Sequence, residues 1–229
     1  MIEDSITDDK LKKNVSWGFV VYRCTYSDDG AWQQMLQLIR DGVKSSLEAE
    51  GRMDLLPRHE LIVMDDKARF DGATSHEIRD QFHRWVADEM MNRLAEPKEP
   101  DREAMLRSRP DDPGPEWFLG ARYNFCLFVD NICLESLEKM RRPVVKLLWK
   151  QWGPREPNER EYPVHPDWED GETDEEEEDV GWMYMAVTDY VEWYDLFHEP
   201  EHWYDAYSRP PSMIGADTSE ETPGFWRKG

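Results

Sequence analysis

Residues 17–26 read WGFVVYRCTY, and after a break at Asp28, Asp29 and Gly30, residues 31–51 read AWQQMLQLIRDGVKSSLEAEG. The first stretch is nearly apolar on both of its alternating faces, which marks a strand covered on two sides and therefore central in a sheet. In the second, Trp32, Leu36, Ile39, Val43 and Leu47 recur at spacings of four, three, four and four. That is one stripe of a helix, which Gly51 can end.

The same alternation continues outward. Glu60 to Met64 reads as a second strand, ending in the pair Asp65 and Asp66. Thr74 and Glu77 form a T-x-x-E capping box for a helix whose buried side is Ile78, Phe82, Trp85, Val86 and Met90. Residues 95–116 carry five prolines and little pattern, which predicts a long loop with one helical turn around Met105. Arg122 to Asp130 is a third strand, Ile132 to Met140 a short helix, and VVKLLWKQW after Pro143 a fourth strand. A proline-rich stretch then leads into residues 167–179, where ten of thirteen side chains are acidic. GWMYMAVTDYV is a fifth strand, followed by a short helix around Trp203 and an irregular tail containing Arg209, Pro210 and Pro211.

This order predicts an α+β fold: one mixed sheet of about five strands with helices packed mainly on one face, a ferredoxin-like or related sandwich. A doubly wound parallel fold is the alternative. Residues 1–15 are expected to be a mobile arm and 16–229 a single domain. Its irregular insertions fall at about 95–116 and 154–180, the second containing the acidic loop 167–179.

The 229 residues hold 28 Lys and Arg against 50 Asp and Glu, a formal charge of −22. Such a field repels phosphate backbones and anionic membranes, so neither nucleic acid nor a membrane surface is an expected partner. It attracts basic proteins and peptides. The eleven Trp, nine Tyr and eight Phe give ample area to bury, which argues against disorder. Cys24, Cys126 and Cys133 form no C-x-x-C pair and are expected to be reduced thiols. No stretch approaches the ~18 apolar residues of a membrane span, and MIEDSITDDKLKK lacks the apolar centre of a secretory signal. Together these predict a cytoplasmic or nuclear protein.

Few motifs carry chemistry. His198 to His202, HEPEH, matches H-E-x-x-H letter for letter, a pattern that works when two imidazoles share a helical face around zinc. Pro200 between them breaks that face, because proline suits only the first turn of a helix. Zinc hydrolysis is therefore a remote alternative, and no metal or cofactor is called for. Asp65 and Asp66 invite a metal or acid–base role but serve equally as turn residues. Cys24 reads as a buried strand residue, and His59, His76, His83 and His165 show no ligand spacing. There is no phosphate loop, G-x-G-x-x-G or G-x-S-x-G.

The tripeptide WYD occurs twice, at Trp193, Tyr194 and Asp195 and at Trp203, Tyr204 and Asp205, with Tyr207 close behind. Aromatic rings beside carboxylates suit a cationic ligand, while the bland reading is that they complete the core. The acidic run could bind a basic partner, fold back on Arg141, Arg142, Lys146 and Lys150, or serve as a solvated spacer. WGFVVYRCTYSDDGAW, DGATSHEIRDQFHRW and WYDAYSRPP resemble segments of an uncharacterised family from filamentous fungi. That resemblance implies a fungal intracellular protein and carries over no activity, cofactor or catalytic residue. The expectation is a non-enzymatic interaction protein that binds a basic protein or peptide through an acidic, aromatic-rich surface. A small-molecule-binding accessory protein or enzyme of fungal secondary metabolism, with a pocket between sheet and helices, is the alternative.

Overall fold

The structure, a computed structural model, describes residues 2, 8–12, 16–109, 112–152, 179–214 and 222–227. Five strands form one mixed sheet: β1 (Val20–Arg23), β2 (Ile62–Met64), β3 (Phe125–Val129), β4 (Val144–Trp149) and β5 (Trp182–Ala186). Their order across the sheet is β2-β1-β3-β4-β5. β1 pairs in parallel with both β2 and β3, whereas β4 runs antiparallel to β3 and β5 antiparallel to β4.

The α+β class and the single mixed sheet match the sequence reading, but the helices lie on both faces. On one face Val21, Leu127, Leu147 and Met185 pack with Trp32, Met35, Ile39 and Val43 of α1 (Asp29–Ala49). On the other, Tyr22, Cys126, Leu148 and Trp182 pack with Ile78, Phe82, Val86 and Met90. These belong to α3 (Ser75–Arg93), which follows the short α2 (Lys67–Phe70). The physical reason is the direction of the crossovers. The β1–β2 connection steps one way along the sheet and the β2–β3 connection steps back past β1. Right-handed crossovers that step in opposite directions land on opposite faces.

Helix starts follow the chemistry of their caps. The Asp28 carboxylate accepts from the Ala31 N–H at 2.9 Å at the head of α1. Thr74 and Glu77 close the expected capping box, Glu77 N–H donating to Thr74 Oγ1 at 3.3 Å and Thr74 N–H to Glu77 Oε2 at 2.9 Å. The stretch read as loop at 95–116 contains a true helix, α4 (Glu99–Arg107), whose Met105 enters the core. The four-residue α5 (Ala121–Asn124) precedes β3, α6 (Asn131–Lys139) joins β3 to β4, and α7 (Tyr190–Leu196) and α8 (Trp203–Ala206) follow β5. The arm expected to be mobile is anchored where it is described: Leu11 is buried and bridges Leu94, and Lys12 N–H donates to Arg93 O at 2.8 Å. Most of residues 154–180 lies outside the described residues.

Two lysines on and just beyond β4 are buried. Lys146 Nζ sits 2.7 Å from Asp130 Oδ2 and 4.2 Å above the Trp182 ring. Lys150 pairs with Glu116, and both side chains are 0% exposed. The option that the acidic run folds back on Arg141, Arg142, Lys146 and Lys150 falls mostly on residues 153–178, outside the described residues. Arg79 of α3 fastens the neighbouring backbone, donating to Trp149 O at 3.0 Å and Gly181 O at 3.1 Å. His83 donates from Nε2 to Lys150 O at 2.8 Å.

Removing one member of a buried ion pair leaves an uncompensated charge. Lys150→Met or Glu116→Leu alone is therefore expected to cost about 3–5 kcal/mol by denaturant unfolding, and the double substitution to recover most of that loss. Stability should also fall on acidification. Burial first, then the Lys150 charge, pushes the His83 imidazole from 6.5 down to about 3. Burial and Arg122 take His59 to about 4. Between those values and 6.5 the unfolded chain binds more protons than the folded one, so stability is lost as pH drops below 6.5. His83→Gln should flatten the dependence of the urea midpoint on pH across that window, and an unchanged slope would contradict this assignment.

Candidate functional site

The carboxyl-terminal aromatics divide sharply between core and surface. α7 follows β5 after the short turn Val187–Asp189 and lays Trp193 and Tyr194 onto the α1 face of the sheet. Trp193 stacks on Phe197 at 5.4 Å, and Tyr194 meets Trp17 and Phe19 edge-on at 5.3 and 4.9 Å. Asp195, exposed, accepts from the Ile2 N–H at 2.7 Å. Trp203 is fully buried among Trp149, Phe125 and Tyr207, and its indole donates to Asp179 Oδ2 at 2.7 Å. Tyr207, half-buried, accepts at its hydroxyl from Val180 N–H at 3.0 Å. The two WYD tripeptides thus do not form one cage. Of the two tripeptides and Tyr207, only Asp195, Tyr204 and Asp205 are exposed.

Tyr204 and Asp205 stand beside an open cleft of about 460 Å3 lined by Trp117, Phe118, Pro200 and the polar side chains of His198, Glu199, Glu201, His202 and Asp205. Its geometry explains HEPEH. Pro200–His202 forms a single 3-10 turn with His198 outside it, so the two imidazoles share no helical face. His202 Nδ1 donates to Leu196 O at 2.8 Å, and Nε2 lies 3.8 Å from Glu199 Oε2. Among the described residues no group of three or more His, Cys, Asp or Glu is placed to hold a metal ion. The motif instead supplies the acidic lip of the cleft.

Opposite that lip stands a short turn, Pro115–Leu119. Consecutive side chains of a tight turn point in different directions, so Trp117 goes inward while Phe118 stays 63% exposed. The Trp117 indole donates to Glu201 Oε1 at 3.0 Å and fixes that carboxylate at the cleft. The Lys10 ammonium of the amino-terminal arm lies 5.7 Å from the Phe118 ring centre. Partial burial, then the charges of Asp179 and Glu201, raise the Tyr204 phenol above its ordinary range. Three carboxylates, and no lysine or arginine, stand among the residues that line the cleft.

Other nominated groups have structural duties. Asp66 caps α2, accepting from Ala68 N–H at 3.1 Å, and Asp65 pairs with Arg23 at 3.3 Å. All three cysteines are buried. Burial drives the Cys126 and Cys133 thiols well above their usual range, which removes the thiolate that nucleophilic chemistry needs. His59 Nε2 lies 3.2 Å from the Tyr190 hydroxyl against the Trp17 ring, and His165 lies outside the described residues. Sequence reasoning missed Phe118, Glu199 and Glu201 as partners. The available signal was WF at 117–118, two large apolar residues in a turn too short to bury both.

Comparison with family models, curated proteins and solved structures finds no match to this chain. The functional reading accordingly rests on geometry.

Trp203→Ala is expected to cost about 3–5 kcal/mol in denaturant unfolding because it empties the centre of an aromatic cluster. Tyr204→Ala and Phe118→Ala should each change stability by less than about 0.5–1 kcal/mol, as exposed side chains do. A large loss for Phe118→Ala would show that its ring is structural.

Proposed function

We propose that the protein is a non-enzymatic interaction module whose acidic, aromatic cleft takes a lysine or arginine side chain of a basic peptide segment. The observation that carries this reading is the pairing of Glu199, Glu201 and Asp205 with the exposed Phe118 ring around one cleft. Carboxylates pair with a cationic head, while an aromatic face accepts both its charge and its alkyl stem. Lys10 against Phe118 is an intramolecular instance of that contact. The overall charge of −22 adds long-range attraction that speeds encounter with a basic partner. No helix among the described residues is long and apolar enough to cross a membrane.

The test is fluorescence anisotropy with a labelled Lys- and Arg-rich peptide at low and high salt. Glu199→Gln, Glu201→Gln and Asp205→Asn combined should weaken binding about tenfold or more. A control that removes the same charge elsewhere, Glu48→Gln, Glu50→Gln and Glu138→Gln, separates the cleft from the general field. Phe118→Ala, which leaves the charge untouched, should weaken binding severalfold. Equal effects of the cleft and control variants, with none from Phe118→Ala, would reduce the binding to nonspecific attraction.

A further inference from the structure

A second cleft, of about 290 Å3, has the opposite character and lies on the α3 side of the sheet edge. Its apolar lining is Tyr22 from β1, Met64 at the end of β2, Phe70 from α2 and Trp85 from α3. Its polar lining is Arg69, Gln81, Arg84 and Asp88. Here the chain leaves β1 for one face of the sheet and β2 for the other. In open sheets, small ligands bind in the crevice at the carboxyl ends of strands whose connections diverge in this way.

Among the described residues neither Arg69 nor Arg84 forms an ion pair. Arg69 donates to the neutral Gln81 amide oxygen and lies over the Phe70 ring at 5.2 Å. Arg84 stands three residues beyond Gln81 on α3, so both side chains reach the same side of the helix. Asp88, the single carboxylate in the lining, is claimed from outside the cleft by Arg102, whose Nε and terminal nitrogen lie 3.0 and 2.8 Å from Oδ1. Trp85 is a prepared wall: its ring is near-parallel to Phe82 and Tyr123 at 5.8 and 6.4 Å, with the Arg122 guanidinium 5.8 Å away. It nevertheless remains only partly buried.

We propose that this cleft binds a small planar organic anion, with its ring against Trp85 and its carboxylate or phosphate between Arg69 and Arg84. Two guanidiniums offer forked donors that match either anion, and they are less strongly hydrated than ammonium groups. The volume suits one aromatic ring rather than a dinucleotide. A chain with a net charge of −22 gains no general attraction for anions, so binding here must come from the local pair.

Phenyl phosphate is the first probe, titrated while following the Trp85 indole N–H signal by NMR, assigned through Trp85→Phe. A saturable shift is expected, with benzoate as the arm that separates carboxylate from phosphate recognition. Phenol and inorganic phosphate, each carrying half of the chemistry, should bind about tenfold or more weakly. Arg69→Ala and Arg84→Ala should each weaken phenyl phosphate about tenfold; both residues are exposed, and an unchanged Trp203 indole signal would confirm the fold. Absence of saturation, unchanged affinity in both arginine variants, or a shift at Trp117 in place of Trp85 would each overturn the proposal. None of these readouts depends on the acidic cleft, so the two sites stand or fall separately.

Discussion

The parallel pairing of β1 on both of its edges governs the rest of the molecule. Val20, Val21, Tyr22 and Arg23 match Ile62, Val63 and Met64 on one side and Cys126, Leu127, Phe128 and Val129 on the other. A strand held this way must be reached by crossovers that step in opposite directions, and those crossovers lay α1 and α3 on opposite faces. Both faces of the sheet are then dry, so every residue of β1, β3, β4 and β5 is buried. The near-continuous apolar run at 17–26 follows from the same constraint.

That constraint also separates what could be read in the sequence from what could not. The five strands, the stripe of α1 and the Thr74–Glu77 box were legible, because period and capping are local properties. The side on which a helix packs is not local. Ile78, Phe82 and Met90 define a buried stripe but carry no label for the face it meets. Only the strand order, set by pairings between distant residues, decides that. The helix within 95–116 was legible only as one turn around Met105 for a related reason. Met105 is a weak signal until α3 is in place to receive it, since α4 owes its stability to that packing more than to its propensity.

The candidate site was legible in composition and not in detail. Aromatic rings beside carboxylates drew attention to residues near the carboxyl end, of which Trp193, Tyr194 and Trp203 serve the core. A tripeptide cannot disclose which of its members faces inward when it sits in two different helices. Phe118 comes from a segment about eighty residues earlier and meets Glu201 only through the Trp117 indole. H-E-x-x-H was legible as letters and misleading as chemistry, because Pro200 sets the turn that parts its histidines.

Burying Lys146 and Lys150 has a consequence for the surface. Each is paired with a carboxylate, Asp130 or Glu116, so each of the two pairs cancels within the net charge of −22. Desolvating four charges costs several kcal/mol per ion before the pairings offset it. In return, β4 holds fixed cations where Trp182 and the Glu116 turn must meet it. The turn that Lys150 anchors through Glu116 is the one that presents Phe118 to solvent. The buried pair therefore sets the position of the exposed ring, and an acidic cleft can keep a rigid aromatic wall although its neighbours repel one another.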